Sequence, residues 1–131
     1  MINNLDATAL ARMMEAVSRH VIDNVDALTD ADRAIGDGDH GIGMRRGFEG
    51  VLEQLSTQPA STPEAVMKTV GTAIMSKTGG AAGAIFGPMF RSGAKALAGK
   101  DTLDGAGFAD FLEAGLGFGG SCFPKDVISL E

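Results

Sequence analysis

The sequence predicts an all-α protein, an antiparallel helical bundle or partial helical barrel of about five helices. Three observations predict it. Apolar residues recur at three- and four-residue spacing through most of the chain. No stretch alternates apolar and polar positions for long enough to make a strand. Short breaks rich in Gly, Asp and Pro separate the periodic segments.

The first helix is expected over 6–28, where Leu10, Met13, Met14, Val17, Val21, Val25 and Leu28 form one apolar stripe and Asp6 can cap the start. Residues 29–41 interrupt the period with Asp and Gly and read as a loop. A second helix, about 41–56, turns Met44, Phe48, Val51, Leu52 and Leu55 inward. After a linker at 56–61, Thr62-Pro63-Glu64 reads as a hydroxyl cap with proline at the first helical position. That third helix covers about 63–77, with Val66, Val70 and Ile74 inside, and Gly79-Gly80 stops it. A glycine-rich fourth helix covers about 82–98, with Pro88 as a kink site. The turn Gly99-Lys100-Asp101 leads to a fifth helix, about 103–115, using Leu103, Phe108, Phe111 and Leu112.

Composition narrows the class. The 131 residues make one domain or part of one, and a chain of this size can bury a real core. Nineteen glycines are about twice the usual share and cluster in 36–50, 79–87 and 115–120, which marks particular loops. The net charge of −6 has no basic stripe against it, so no nucleic-acid partner is expected. No apolar run approaches membrane-spanning length and no signal peptide is recognisable, so no membrane partner is expected. The single cysteine, Cys122, excludes an internal disulfide and suits a cytoplasmic location.

The chemistry concentrates in Asp32-Arg-Ala-Ile-Gly-Asp37-Gly-Asp39-His40-Gly41. Two like charges about 4 Å apart repel by roughly 4 kcal/mol at an effective dielectric of about 20. A cluster of three carboxylates therefore splays into water or is bridged by a cation, and hard oxygen ligands select Mg²⁺ or Ca²⁺. Gly36, Gly38 and Gly41 permit the backbone angles that let carboxylates converge. The loop feeds a helix, so the amides of His40, Gly41, Ile42 and Gly43 lie at a helix start suited to phosphate oxygens, with Arg45 and Arg46 one turn on. Two other readings of the loop fail. Gly36-x-Gly38-x-x-Gly41 matches a dinucleotide fingerprint but follows a helix rather than a strand. No Glu stands at the twelfth position of a calcium loop counted from Asp30 or Asp32. The bland reading is a solvated loop whose aspartates cap helices and bend turns.

This stretch, continued by Met44 and Arg46-Gly47-Phe48, closely resembles the nucleotide-binding L subunit or domain of dihydroxyacetone kinases. A second match, Gly79-Gly80-Ala81-Ala82-Gly83 with Phe86-Gly87, follows at the right distance, and the resemblance covers about residues 5–115. It implies an antiparallel helical barrel with ADP or ATP at one end. Asp32, Asp37 and Asp39 would hold two Mg²⁺ ions on the nucleotide phosphates. His40, Gly41, Ile42 and Gly43 would touch those phosphates, and Gly80, Ala81 and Ala82 would lie against the nucleotide. The reaction implied is phosphoryl transfer to dihydroxyacetone or a related small ketose held by a separate K subunit. The donor would be ATP or a phosphocarrier protein that recharges bound ADP. No catalytic residue is assigned, because the aspartates would act as metal ligands.

Departures from the family pattern shape further expectations. Asn is usual where this chain has Gly43, Ser where it has Ala82, and Pro where it has Ala84. The family's barrel has eight helices. A five-helix chain would leave apolar faces uncovered, which predicts instability or self-association into a homo-oligomer. Residues 1–116 read as the incomplete L-type domain and 117–131 as a tail of uncertain origin. Within that tail, Gly117-Phe-Gly-Gly-Ser-Cys122-Phe-Pro-Lys-Asp126 resembles the catalytic-cysteine motif of UDP-glucose and related nucleotide-sugar dehydrogenases. Two alternative functions follow: a non-enzymatic helical interaction module, and a dehydrogenase fragment using Cys122.

Overall fold

Asp6, Thr62 and Asp104 each end an extended segment and start a helix by the same device, a side-chain oxygen that accepts from the amide three residues on: Ala9 at 2.8 Å, Ala65 at 3.2 Å and Gly107 at 2.7 Å. The computed structural model describes residues 4–35 and 40–117, with the backbone alone at 32–35, 40, 80 and 81. Six helices form there: α1 (Ala7–Asp23), α2 (Val25–Ile35), α3 (His40–Thr57), α4 (Pro63–Lys77), α5 (Gly80–Lys95) and α6 (Gly105–Leu116). The all-α expectation holds. Two two-residue strands, β1 (Leu5–Asp6) and β2 (Thr102–Leu103), pair antiparallel in the register Leu5↔Leu103 and Asp6↔Thr102.

The expected first helix is two helices. α1 ends at Asn24, whose side-chain amide donates to the His20 carbonyl at 2.8 Å and whose N–H donates to Val21 O at 3.1 Å. The chain then restarts as α2, which runs to Ile35, so the first half of the expected 29–41 loop is helical. An asparagine that satisfies the last carbonyls of a helix ends it without glycine or proline, the breakers that mark such ends most visibly.

The core is built around α4, whose Val66, Met67, Val70, Ala73 and Ile74 are all buried. α3 supplies Phe48, Val51 and Leu55 from one side. α5 packs on the other side and carries α6, which contributes Phe111. α1 crosses α3 and α4 with Leu10 and Met14 inside, and α2 lies on α3. Each fully buried Leu, Val or Met side chain contributes about 1.5–3 kcal/mol relative to exposure. The β1–β2 pair closes Leu5 and Leu103 onto this core. No helix among the described residues is long and apolar enough to cross a membrane.

Candidate functional site

Thr78, the residue after α4, marks one end of the bundle. A Cβ placed on Gly43 would lie 3.1 Å from the Thr78 carbonyl oxygen, and one on Gly47 would overlap the Thr78 hydroxyl. A Cβ on Gly83 would lie 3.4 Å from Thr78 Cβ and 3.5 Å from Ile74 O. The first turns of α3 and α5 therefore flank Thr78, and both helices present their N-termini at the same end. α2 joins them there, because a Cβ on Gly41 would lie 2.7 Å from Val25 O and overlap the Thr29 hydroxyl. Gly43 of α3 and Gly83 of α5 thus both approach Thr78, while Gly41 approaches Val25 and Thr29 of α2.

α5 starts differently from α1, α4 and α6. Its cap is Gly79, at φ 70° and ψ 175°, which supplies no side-chain hydrogen bond to the helix start. The left-handed φ favours glycine and turns the chain sharply out of Thr78. The amides of Gly80, Ala81 and Ala82 form the first turn, where an α-helix has no internal acceptor for them. Two helix N-termini side by side also concentrate the positive ends of two helix dipoles. The arrangement can hold an oxyanion.

Asp32 stands on the last turn of α2, on a helix and not in a loop. Asp37 and Asp39 lie outside the described residues, between Ile35 and His40. His40, Gly41, Ile42 and Gly43 make the first turn of α3, with Gly41 buried and Ile42 52% exposed. Gly80, Ala81 and Ala82 open α5 as a helical turn. Arg45 is exposed, and Arg46 lines a groove between α3 and α4 together with Glu49, Glu53 and Lys77. Among the described residues, which leave out Asp37 and Asp39, no three His, Cys, Asp or Glu side chains gather as a metal site. Cys122 and its motif lie outside the described residues.

Sequence reasoning missed Thr78 and Thr29. A signal for Thr78 exists in Gly43, Gly47 and Gly50, whose four- and three-residue spacing puts them on one face of α3 and marks a close neighbour. That neighbour is Thr78 at the first two positions and Lys77 with Ala73 at the third.

An all-α domain that brings the starts of two helices, α3 and α5, to one end has a geometry suited to an anion. The DAK2 domain family matches residues 34–119, which span α3 to α6 and the segment before them. The chain is 37% identical over 105 residues to the ADP-binding subunit DhaL of PEP-dependent dihydroxyacetone kinase 1 from Listeria innocua, covering 80% of this chain and 52% of the relative. It is 40% identical over 76 residues to the ADP-binding subunit DhaL of PEP-dependent dihydroxyacetone kinase from Escherichia coli, covering 58% and 36%. It is 35% identical over 89 residues to the ADP-binding subunit DhaL of PTS-dependent dihydroxyacetone kinase from Lactococcus lactis, covering 68% and 44%. The chain belongs to the DAK2 domain family. It spans about half the length, or less, of these curated relatives.

Proposed function

We propose that this chain binds ADP or ATP with Mg²⁺ as the nucleotide-binding part of a dihydroxyacetone-type kinase, in the cytoplasm. The observation that carries the reading is the pair of helix N-termini, α3 and α5, on either side of Thr78. Relatives named as ADP-binding subunits of dihydroxyacetone kinases support the choice of nucleotide and of reaction. The amides of His40 to Gly43 and of Gly80 to Ala82 bind and orient the phosphates. Three aspartates in eight residues, Asp32, Asp37 and Asp39, make a hard oxygen donor set that suits Mg²⁺, which typically takes one or two carboxylates per ion and completes its shell with water and phosphate. Two ions fit three carboxylates and a diphosphate. When bound, Mg²⁺ neutralises phosphate charge in a protein whose own net charge is −6.

The phosphoryl acceptor, a small ketose, sits on a partner K subunit. The donor is ATP or a phosphorylated carrier protein. Residues 1–116 constitute the binding domain, and 117–131 are a separate tail. Calorimetry with Mg-ADP on the chain and on Asp37→Ala tests the reading. Saturable binding that falls at least tenfold in the variant is expected, with the same loss when EDTA removes Mg²⁺. Equal affinity in both proteins, or no binding by either, would defeat it.

A further inference from the structure

The exposed ridge of α4 (Thr72, Met75, Ser76) has a groove on each side. The groove toward α3, about 300 Å³, mixes Arg46 and Lys77 with Glu49 and Glu53. The groove toward α5, about 260 Å³, is lined by Met75, Pro88, Arg91, Ser92 and Lys95, two cations with no carboxylate. In a chain of net charge −6, that segregation of positive charge sets this groove apart from the one toward α3.

The groove is built by packing. A Cβ on Gly71 would lie 2.7 Å from Arg91 Cγ and 2.9 Å from the Arg91 amide nitrogen, so the bare backbone at 71 is what lets the arginine stem lie against α4. Gly87 receives the Met75 side chain in the same way, since a Cβ there would lie 2.9 Å from Met75 Cβ. The guanidinium Nη1 donates to Met75 Sδ at 3.7 Å, a weak acceptor that leaves the fork's remaining donors for stronger ones. Lys95 follows Arg91 by one helical turn, and the negative C-terminal end of α5 offsets the repulsion between them. Neither cation forms an ion pair among the described residues, where the pairs are Arg19–Glu15 and Lys100–Asp110. Ser92 stands between them, half-buried, with a hydroxyl for the same ligand. Pro88 and Met75 supply apolar wall, and proline brings no amide hydrogen to it. At about 260 Å³ the groove is smaller than common ligand pockets, which run from about 300 to 1,000 Å³, so it suits only a ligand of a few heavy atoms.

We propose that the α4–α5 groove is a second anion site, taking a phosphate or carboxylate group on a body of a few carbons. Arg91 and Lys95 bind the oxyanion, Ser92 donates to it, and Met75 with Pro88 covers the carbon body. The site stands about 16 Å along α5 from Gly80, at 1.5 Å per residue, and is distinct from the nucleotide end.

Amide chemical-shift mapping of the ¹⁵N-labelled chain with propyl phosphate, inorganic phosphate, butyrate and propanol tests it. The expected result is saturable shifts centred on Arg91, Ser92 and Lys95 with propyl phosphate or butyrate, weaker shifts with inorganic phosphate, and none with propanol. The stronger of the two organic anions identifies the oxyanion. Arg91→Gln/Lys95→Gln should weaken that binding at least tenfold, and Lys95→Gln alone less, while calorimetric Mg-ADP affinity stays unchanged. Shifts confined to the first turns of α3 and α5, no saturation, or equal binding by the double variant would overturn the site. Equal affinity for propyl and inorganic phosphate would overturn the role of the apolar wall. Mg-ADP binding is read separately, so failure at one site leaves the other reading standing.

Discussion

Thr78 is buried at 7% exposure, and its hydroxyl has no hydrogen-bond partner among the described residues. It is also the atom that a Cβ at Gly47 would overlap. The two facts make a coupled pair. In an ordinary helix interior, Gly→Ala gains about 1 kcal/mol. At Gly47 the overlap should reverse the sign, so Gly47→Ala is expected to lower unfolding stability by about 1–3 kcal/mol in urea titrations. In a Thr78→Ala background the obstacle is gone, and Gly47→Ala should become neutral or stabilising. A double-mutant cycle that gives simple additivity would contradict the contact. Gly43 carries the same lesson about legibility. The sequence presents it as a lost polar side chain near phosphate, whereas in the fold its backbone admits the Thr78 carbonyl, 3.1 Å from where a Cβ would stand. The glycine spacing was visible in the sequence. Its partner was not, because an unpaired threonine before Gly-Gly has no period of its own.

Among the elements, α4 was the most legible: Thr62, Pro63 and the apolar spacing gave its range of 63–77, and the fold reproduces it. Chemistry of that kind is local, so sequence carries it. Thr62→Ala should cost about 1 kcal/mol of stability by loss of the cap, with Mg-ADP affinity unchanged. Gly79 offers the contrast. Its φ of 70° makes Gly79→Ala costly by about 1–2 kcal/mol. Because it redirects the start of α5, the same variant should also weaken Mg-ADP binding, as calorimetry would register. The element misread was α1–α2. Apolar residues continue in helical register across Asn24, since α2 is itself helical, and periodicity alone cannot locate a break that keeps its phase. Val25 is buried beyond the break while Val17, on the supposed common stripe, is 41% exposed. Reading Asp32 as a loop residue, when it stands on α2, belongs to the same miss.

On the scale of the whole molecule, apolar surface is concentrated on its α5–α6 side. α6 packs chiefly on α5, and its other face carries Phe108, Leu112 and Leu116 at four-residue spacing, 42%, 39% and 43% exposed. Ile85 and Phe86 are exposed on α5. Such a stripe favours association. Sedimentation velocity is expected to show mass rising with concentration, and Leu112→Glu should shift the population to monomer; a concentration-independent monomer in the parent chain would refute this. Among the described residues that stripe stays exposed. The β1–β2 pair was not foreseeable, since two residues per strand leave no alternation to read.

That small pairing has a temporal consequence. Leu5 and Asp6 find their partners only at Leu103 and Thr102, so this pairing cannot form until nearly all of the described chain has left the ribosome. At about 5–20 residues per second, the strand waits for several seconds after its own synthesis. During that interval the Asp6 cap on Ala9 alone defines where α1 begins, and a nascent chain stalled before Thr102 would leave the edge of Leu5 and Asp6 open to chaperones.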